Sequence, residues 1–445
     1  MKSFIILLSL FFSVIGYSIV EKSGLHIYIF YLIFIWLNCI QLFYINNKNY
    51  KYVILSNFTF VSWTIYGGLN LFRQCWIGQT DYNGTLSLVY ISHIVGTVLM
   101  FIGYRLAMKQ KIRKGFRFSD NIIAERSFLI ISILYIGLQF YIIQASGGFK
   151  AYFLAAYSTK VESSLVTFAS LFGGILSNVG YLAVPFFLSK SYSMAWRIYA
   201  FFIFIFYMGM GGVVNGSSIN NLNAMLAVFC FLLFTVKDLS SLNKYRNRML
   251  VLLVAAGVFG VVIRQNRGNI DNVQVYSIEQ SVDNIMKMST FDGAQHLTWV
   301  YENLEPKYTL EQFILPFVNP LPRKVFPWKP IDLSRIAGQR TEKLDLEYQF
   351  AVIVTPMGEF YYDFGVIGII VGMIFIGFVI GFIQKKINLS AHTNMTAFIL
   401  ISCCIYSEII AGWYTGWGIR MVRFSIFVAF LLVVQKTFNS NFRKA

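Results

Sequence analysis

The segment Asn319 to Pro330, NPLPRKVFPWKP, carries four prolines in twelve residues together with three cations, Arg323, Lys324 and Lys329. Proline locks φ and removes a backbone donor, so this stretch resists helix formation and is stiff. A stiff backbone can hold cations in a fixed array. Arginine suits bidentate contacts to phosphate oxygens, and lysine supplies a compact point charge. Anion binding is the chemistry these residues invite. Phe326 and Trp328 add faces that could grip a sugar ring or rest at lipid headgroups. A solvated basic loop touching anionic lipid is an equal alternative.

More cations flank this segment. Arg264 and Arg267 are three apart and share a face if the helix before them continues; snorkelling to headgroups is the plainer role for Arg264. Arg335, Arg340 and Lys343 follow. The second cluster is TPMGEFYYDFG, Thr355 to Gly365. Thr355 is expected as an N-cap and Pro356 as the first helical residue. Glu359 and Asp363 then lie one turn apart on one face. Carboxylates are favoured at a helix N-terminus in any case; a catalytic base would also need burial to raise its pKa. Tyr361 and Tyr362 read as interfacial aromatics. His296, in FDGAQHLTWVYEN, ranks below Glu359 as a base. Glu408, within an apolar run, is expected to pair with Arg420 or Arg423, with a substrate-facing role second. The Gly211 to Asn223 stretch, GGVVNGSSINNLN, could pack helices closely or contact sugars. The five cysteines and four histidines are scattered, with no metal spacing and no disulfide framework.

The elements that must position these residues are membrane spans. The chain has 445 residues, 57% hydrophobic and 13% charged, about half the charge a water-facing surface carries. Apolar runs at about 3–20, 25–45, 52–72, 86–107, 127–145, 164–189, 196–214, 219–236, 249–264, 364–383, 395–413 and 419–435 predict about twelve transmembrane helices. A β-barrel would need short alternating segments instead. The first run is expected to be an anchor, since no small-residue cleavage site follows it. Basic residues collect in alternate loops, which by the positive-inside rule puts both termini in the cytoplasm. The expected organisation is spans one to nine over 1–264, a large outer loop over 265–355, and spans ten to twelve over 356–445. The net charge of +17 then serves orientation and an anionic ligand, not nucleic acid. No phosphate-binding glycine loop lies on the cytoplasmic side, so an activated substrate carrying its own leaving group fits better than ATP.

With its late outer loop, its LPRKVFPWKP stretch and its GEFYYDFGVIG stretch, the chain resembles the Wzy-type O-antigen polymerases, or oligosaccharide repeat unit polymerases. The resemblance implies an all-α polytopic fold of the GT-C type, similar to the O-antigen ligases, in the bacterial inner membrane. It implies an enzyme that transfers a growing glycan from undecaprenyl pyrophosphate onto an incoming lipid-linked repeat unit at the periplasmic face. No cofactor or metal is implied. The implied partners are the lipid-linked oligosaccharide, membrane lipid, and a chain-length regulator, flippase and ligase of the same pathway. Carried onto this chain, Arg323 and Lys329 bind the pyrophosphate leaving group and Glu359 positions or deprotonates the acceptor hydroxyl. Arg264, Arg267, His296, Lys324, Arg335, Arg340, Tyr361, Tyr362, Asp363 and Arg420 complete the expected site. One departure is that relatives often place an arginine after a Gly-Ser turn near mid-chain, where this chain reads NGSSINN; Arg264 or Arg267 could supply that charge. An O-antigen ligase acting on lipid A core, and a lipid-linked oligosaccharide flippase, are the competing readings. The long outer segment argues against the flippase.

Overall fold

The computed structural model describes residues 2–18, 25–46, 53–76, 84–112, 123–148, 164–210, 218–235, 277, 280, 293–319, 326–341, 353–390, 393–409 and 414–440, some of them, such as Arg340 and Glu408, by backbone alone. Among the described residues all regular structure is helical. In chain order the helices are α1 (Lys2–Ser18), α2 (Leu25–Ile45), α3 (Ile54–Trp76), α4 (Gly84–Lys109), α5 (Glu125–Ala145), α6 (Ser164–Leu176), α7 (Val179–Leu188), α8 (Met194–Met208), α9 (Ser218–Thr235), α10 (Gly293–Asn303), α11 (Glu311–Val318), α12 (Leu333–Thr341), α13 (Thr355–Asn388), α14 (Asn394–Ile409) and α15 (Tyr414–Ser440). Six stretches are long and apolar enough to cross a membrane: Leu25–Ile45, Thr85–Lys109, Glu125–Ala145, Leu171–Leu188, Thr355–Asn388 and Tyr414–Phe438. The all-helical membrane class follows, because an uninterrupted apolar run of this length satisfies its backbone only as a helix. Large apolar side chains such as Phe202 and Val371 stand outward, 64% and 61% exposed, as lipid contact requires.

Helices occupy the expected apolar segments except 249–264, which lies outside the described residues. Within the run expected as one span, 164–189, Leu171–Leu188 is long and apolar enough to cross, and a turn at Ser177–Asn178 divides it into α6 and α7. Ser177 Oγ donates to the Gly174 carbonyl at 2.9 Å and Asn178 Nδ2 to the Ile175 carbonyl at 2.8 Å. Side chains of this kind compete with the backbone for the last carbonyls and end a helix.

The chain divides into two compact units. The first comprises 1–116, 278–390 and 406–420, and the second 117–277, 391–405 and 421–445. In the second, α7 packs chiefly on α8. Gly180 makes room there for the Tyr207 ring, and Phe186 stacks between Phe128 at 4.3 Å and Tyr192 at 4.1 Å.

The first unit is organised by α13, which lies along α4. A sharp kink breaks α13 at Phe364 (φ −142°, ψ 17°) and Gly365 (φ 62°, ψ −148°). The nine residues before it fold back onto the apolar shaft. A Cβ on Gly368 would stand 2.0 Å from the Phe360 carbonyl oxygen, and one on Gly372 would meet the Phe360 ring at 2.1 Å. The carbonyls released at the kink are not stranded. Lys307 N–H donates to the Tyr362 carbonyl at 2.8 Å and Thr309 N–H to the Asp363 carbonyl at 3.0 Å. The dihedrals of Gly365 fall in a region essentially reserved for glycine, where another residue costs about 1–3 kcal/mol. Gly365→Ala should therefore lower the unfolding temperature of the purified protein in detergent, and an unchanged midpoint would show that the kink relaxes at no cost.

Candidate functional site

The site begins with the two carboxylates of GEFYYD. Both are fully buried, and both sit on one face of the first half of α13. Glu359 Oε2 accepts from Tyr414 N–H at 2.7 Å and Oε1 from Thr415 N–H at 3.0 Å. These are the first amides of α15. Asp363 does the same for another helix: Oδ1 accepts from Gln312 N–H at 3.0 Å and Oδ2 from Phe313 N–H at 2.9 Å, at the start of α11. The leading amides of a helix have no intrahelical acceptor, and the positive end of its dipole favours a carboxylate. Each acid thus supplies, from outside, the acceptors for the leading amides of a helix distant in sequence.

Glu359, expected to position or deprotonate the acceptor hydroxyl, is in this structure an acceptor of backbone amides. Both its oxygens hold backbone amides in a buried setting, which is the work of a fastener. Asp363, expected to bind substrate, fastens α11. The expected N-cap Thr355 is corrected. The helix is preceded by Val354, and no side chain caps it. Thr355 itself stands at φ 57°, and its buried hydroxyl has no hydrogen-bond partner.

From α11 the order passes to the proline-rich segment. Buried Gln312 donates through Nε2 to the Ile331 carbonyl at 2.9 Å and accepts through Oε1 from Leu333 N–H at 3.0 Å. Asp332 caps α12 by accepting from Ser334 N–H at 3.0 Å. Lys329, expected on a phosphate, donates through Nζ to the Asn319 carbonyl just past α11, where a cation suits the negative end of the helix dipole. Trp328 is 63% exposed and meets Phe326 edge-on at 5.6 Å. Arg335 is exposed on α12. Lys307 pairs with Glu311 at 3.0 Å and lies 4.9 Å over the Tyr362 ring.

The tyrosines expected to touch substrate are packed. Tyr362 belongs to an apolar cluster with Val300, Leu333, Ala337 and Val354, and Tyr361 lies partly buried against it. Tyr361 meets Tyr301 edge-on at 4.6 Å. Arg420 is half-buried in α15. Arg264, Arg267, Arg323, Lys324, Lys343 and the Gly211–Gly216 turn lie outside the described residues, as do the side chains of Arg340 and Glu408.

His296 is in place at the inner edge of this assembly, 3% exposed on α10. Its Nδ1 lies 3.2 Å from the Ile353 carbonyl oxygen. A carbonyl only accepts, so Nδ1 carries the proton and the neutral ring presents a lone pair at Nε2. Burial pushes the imidazole down to about 4; the Ile353 bond opposes this and the charge of Arg73 reinforces it. His296 is therefore neutral through the neutral pH range. Charge patterning alone does not single out Arg73. The available signal was its position three residues after Asn70 in the last turn of an apolar helix, which puts both on one face. Among the described residues no three His, Cys, Asp or Glu side chains gather as metal ligands. Comparison with protein-family models, with curated proteins and with solved structures returned no match.

Proposed function

We propose that the chain is a polymerase of lipid-linked oligosaccharides. It transfers a growing glycan from undecaprenyl pyrophosphate onto a sugar hydroxyl of an incoming lipid-linked repeat unit, at the periplasmic face of the bacterial inner membrane. In this reading about twelve spans carry the outer segment 265–355, and both termini are cytoplasmic. The bond to the pyrophosphate oxygen breaks as the new glycosidic bond forms, and the acceptor's proton leaves with a base. A pyrophosphate leaving group needs its growing charge met by fixed cations in a low-dielectric cleft. Two lipid-anchored substrates in one plane supply proximity.

The observation that carries the reading is the way the polar segment is fastened to the membrane helix that follows it. Asp363 holds α11, Gln312 holds the 331–333 turn, and Lys329 closes the far end of α11. The proline-basic stretch is thereby tied at both flanks to the head of α13. Flanks anchored there suit a cation array that is to meet a lipid-borne anion at the interface. Arg323 and Lys324 are the cations assigned to the leaving group. Glu359 and Asp363 act as positioning residues in this reading.

A deletion strain should lose long-chain surface glycan while retaining core capped with one repeat. Bare core would identify a ligase instead, and accumulated unflipped units with no capped core a flippase. Arg323→Ala should reproduce the deletion profile at normal expression. A ladder of wild-type length from that variant would remove Arg323 from the mechanism.

A further inference from the structure

We infer that Asn70, Arg73, His296 and Thr355 form a buried binding site for a phosphate-type anion, built where α3, α10 and the start of α13 meet. None of these residues lies in the proline-basic stretch. Asn70 and Arg73 occupy one face of the last two turns of α3, and Gly293 and His296 one face of α10, each pair three residues apart. The two faces touch. Gly293 N–H donates to Asn70 Oδ1 at 3.3 Å. A Cβ on Gly293 would stand 2.8 Å from Asn70 Nδ2 and 3.3 Å from Thr355 Cγ2. His296 joins through the Ile353 carbonyl two residues before Thr355.

Two donors remain unused at this junction. Asn70 and Thr355 are both 0% exposed, and Asn70 Nδ2 and Thr355 Oγ1 have no hydrogen-bond partner. A buried donor left unmade is destabilising, and a bound acceptor relieves it. Thr355 is also held at φ 57°, a conformation that a β-branched residue adopts only when its surroundings impose it, and one found disproportionately at ligand sites. The third element is charge. Arg73, 8% exposed, puts a permanent cation close enough to bear on the His296 ring. A ligand that accepts two hydrogen bonds and is drawn to a guanidinium is an oxyanion, and tetrahedral phosphate oxygens present that pattern. His296, neutral with its lone pair at Nε2, suits a protonated phosphate oxygen at the same place.

The polymerase reading enters only in naming the source, a polyprenyl pyrophosphate. Inorganic pyrophosphate and farnesyl pyrophosphate, titrated into the full-length protein in detergent, distinguish a free anion from a lipid-borne one. Either should raise the unfolding temperature. Thr355→Val removes only an unpartnered hydroxyl and should fold like the wild type. Arg73→Gln removes the charge. Each is expected to weaken binding about tenfold or more, the scale of one charge-assisted hydrogen bond. Saturation by the farnesyl form alone, lost in both variants, supports a lipid-borne ligand. Saturation by both probes, also lost, supports the site for free anion. No saturation with either probe, or wild-type binding in T355V, overturns it; if R73Q does not fold, T355V decides. Loss of long-chain glycan in the deletion strain, together with unaltered binding in T355V, would defeat the site and leave the polymerase reading standing. The reverse pair would defeat the polymerase and leave the site.

Discussion

Glu359→Ala is expected to be among the most damaging single substitutions in the first unit. It removes the acceptor of two backbone amides, Tyr414 N–H and Thr415 N–H, in a place that water does not reach. Each stranded buried donor costs about 1–3 kcal/mol. The expected loss is roughly 3–5 kcal/mol, in the range that marks a broken buried network. It should appear as a lower unfolding temperature in detergent and less full-length protein in the membrane. Glu359→Gln separates the geometry from the charge. Its carboxamide offers one oxygen to two amides and turns an N–H toward the second, so it should recover less than half of the loss. Glu359→Asp keeps the charge on a stem one methylene shorter and should fall short of both amides. The series also tests Glu359 as a base. An E359Q protein that unfolds with the wild type yet makes no polymer would show that Glu359 acts on the substrate.

The i, i+4 spacing of Glu359 and Asp363 is legible in the sequence, and so is their place at the head of an apolar helix. The beneficiaries are not. A carboxylate near a helix N-terminus is naturally read as serving its own helix, whereas these two serve α15 and α11, 55 and 51 residues away. Local pattern carries no information about which distant amides a side chain meets. The apolar runs predict their helices well because composition over about twenty residues suffices. They also hide interior detail, since the break at Ser177–Asn178 depends on two side-chain bonds within one apolar run. Arg73 shows the same limit for charge. In a loop census it is one cation among many, and only packing against α10 gives it a role. In the sequence, prolines and cations mark the polar segment as the seat of chemistry. The described part of that segment adds a reason for its order, the buried amide of Gln312, which no charge count could pick out.

Gly377→Leu should be comparably severe, for a reason that no hydrogen bond records. A Cβ on Gly377 would stand 1.8 Å from the Met100 carbonyl oxygen, and one on Gly103 would stand 2.0 Å from the Ile374 carbonyl oxygen. The backbones of α4 and α13 therefore touch, as small residues allow helices in lipid to do. A carbon–oxygen contact normally settles at about 3.3–3.6 Å, so even Gly377→Ala must push the helices apart by more than an ångström. Overpacking of this kind costs about 1–3 kcal/mol for a methyl-sized intrusion and more for a leucine. Gly137→Ala is the control. Nothing lies within 4 Å of that position on α5, and alanine favours a helix over glycine by about 1 kcal/mol, so it should be neutral or slightly stabilising. Gly103→Ala and Gly377→Ala intrude on one shared contact. Once the helices have parted for the first methyl, the second finds room, and the double variant should lose less than the sum of the singles. A strictly additive pair in thermal unfolding would mean that the two glycines report separate contacts. The separation should also reach the site, because α10 is anchored to α4 through Tyr301 O–H donating to Ser92 Oγ at 3.1 Å and packs on α13 as well. A parted α4 and α13 would pull His296 and Thr355 out of register, so pyrophosphate binding should fall in Gly377→Ala although that residue touches none of the site.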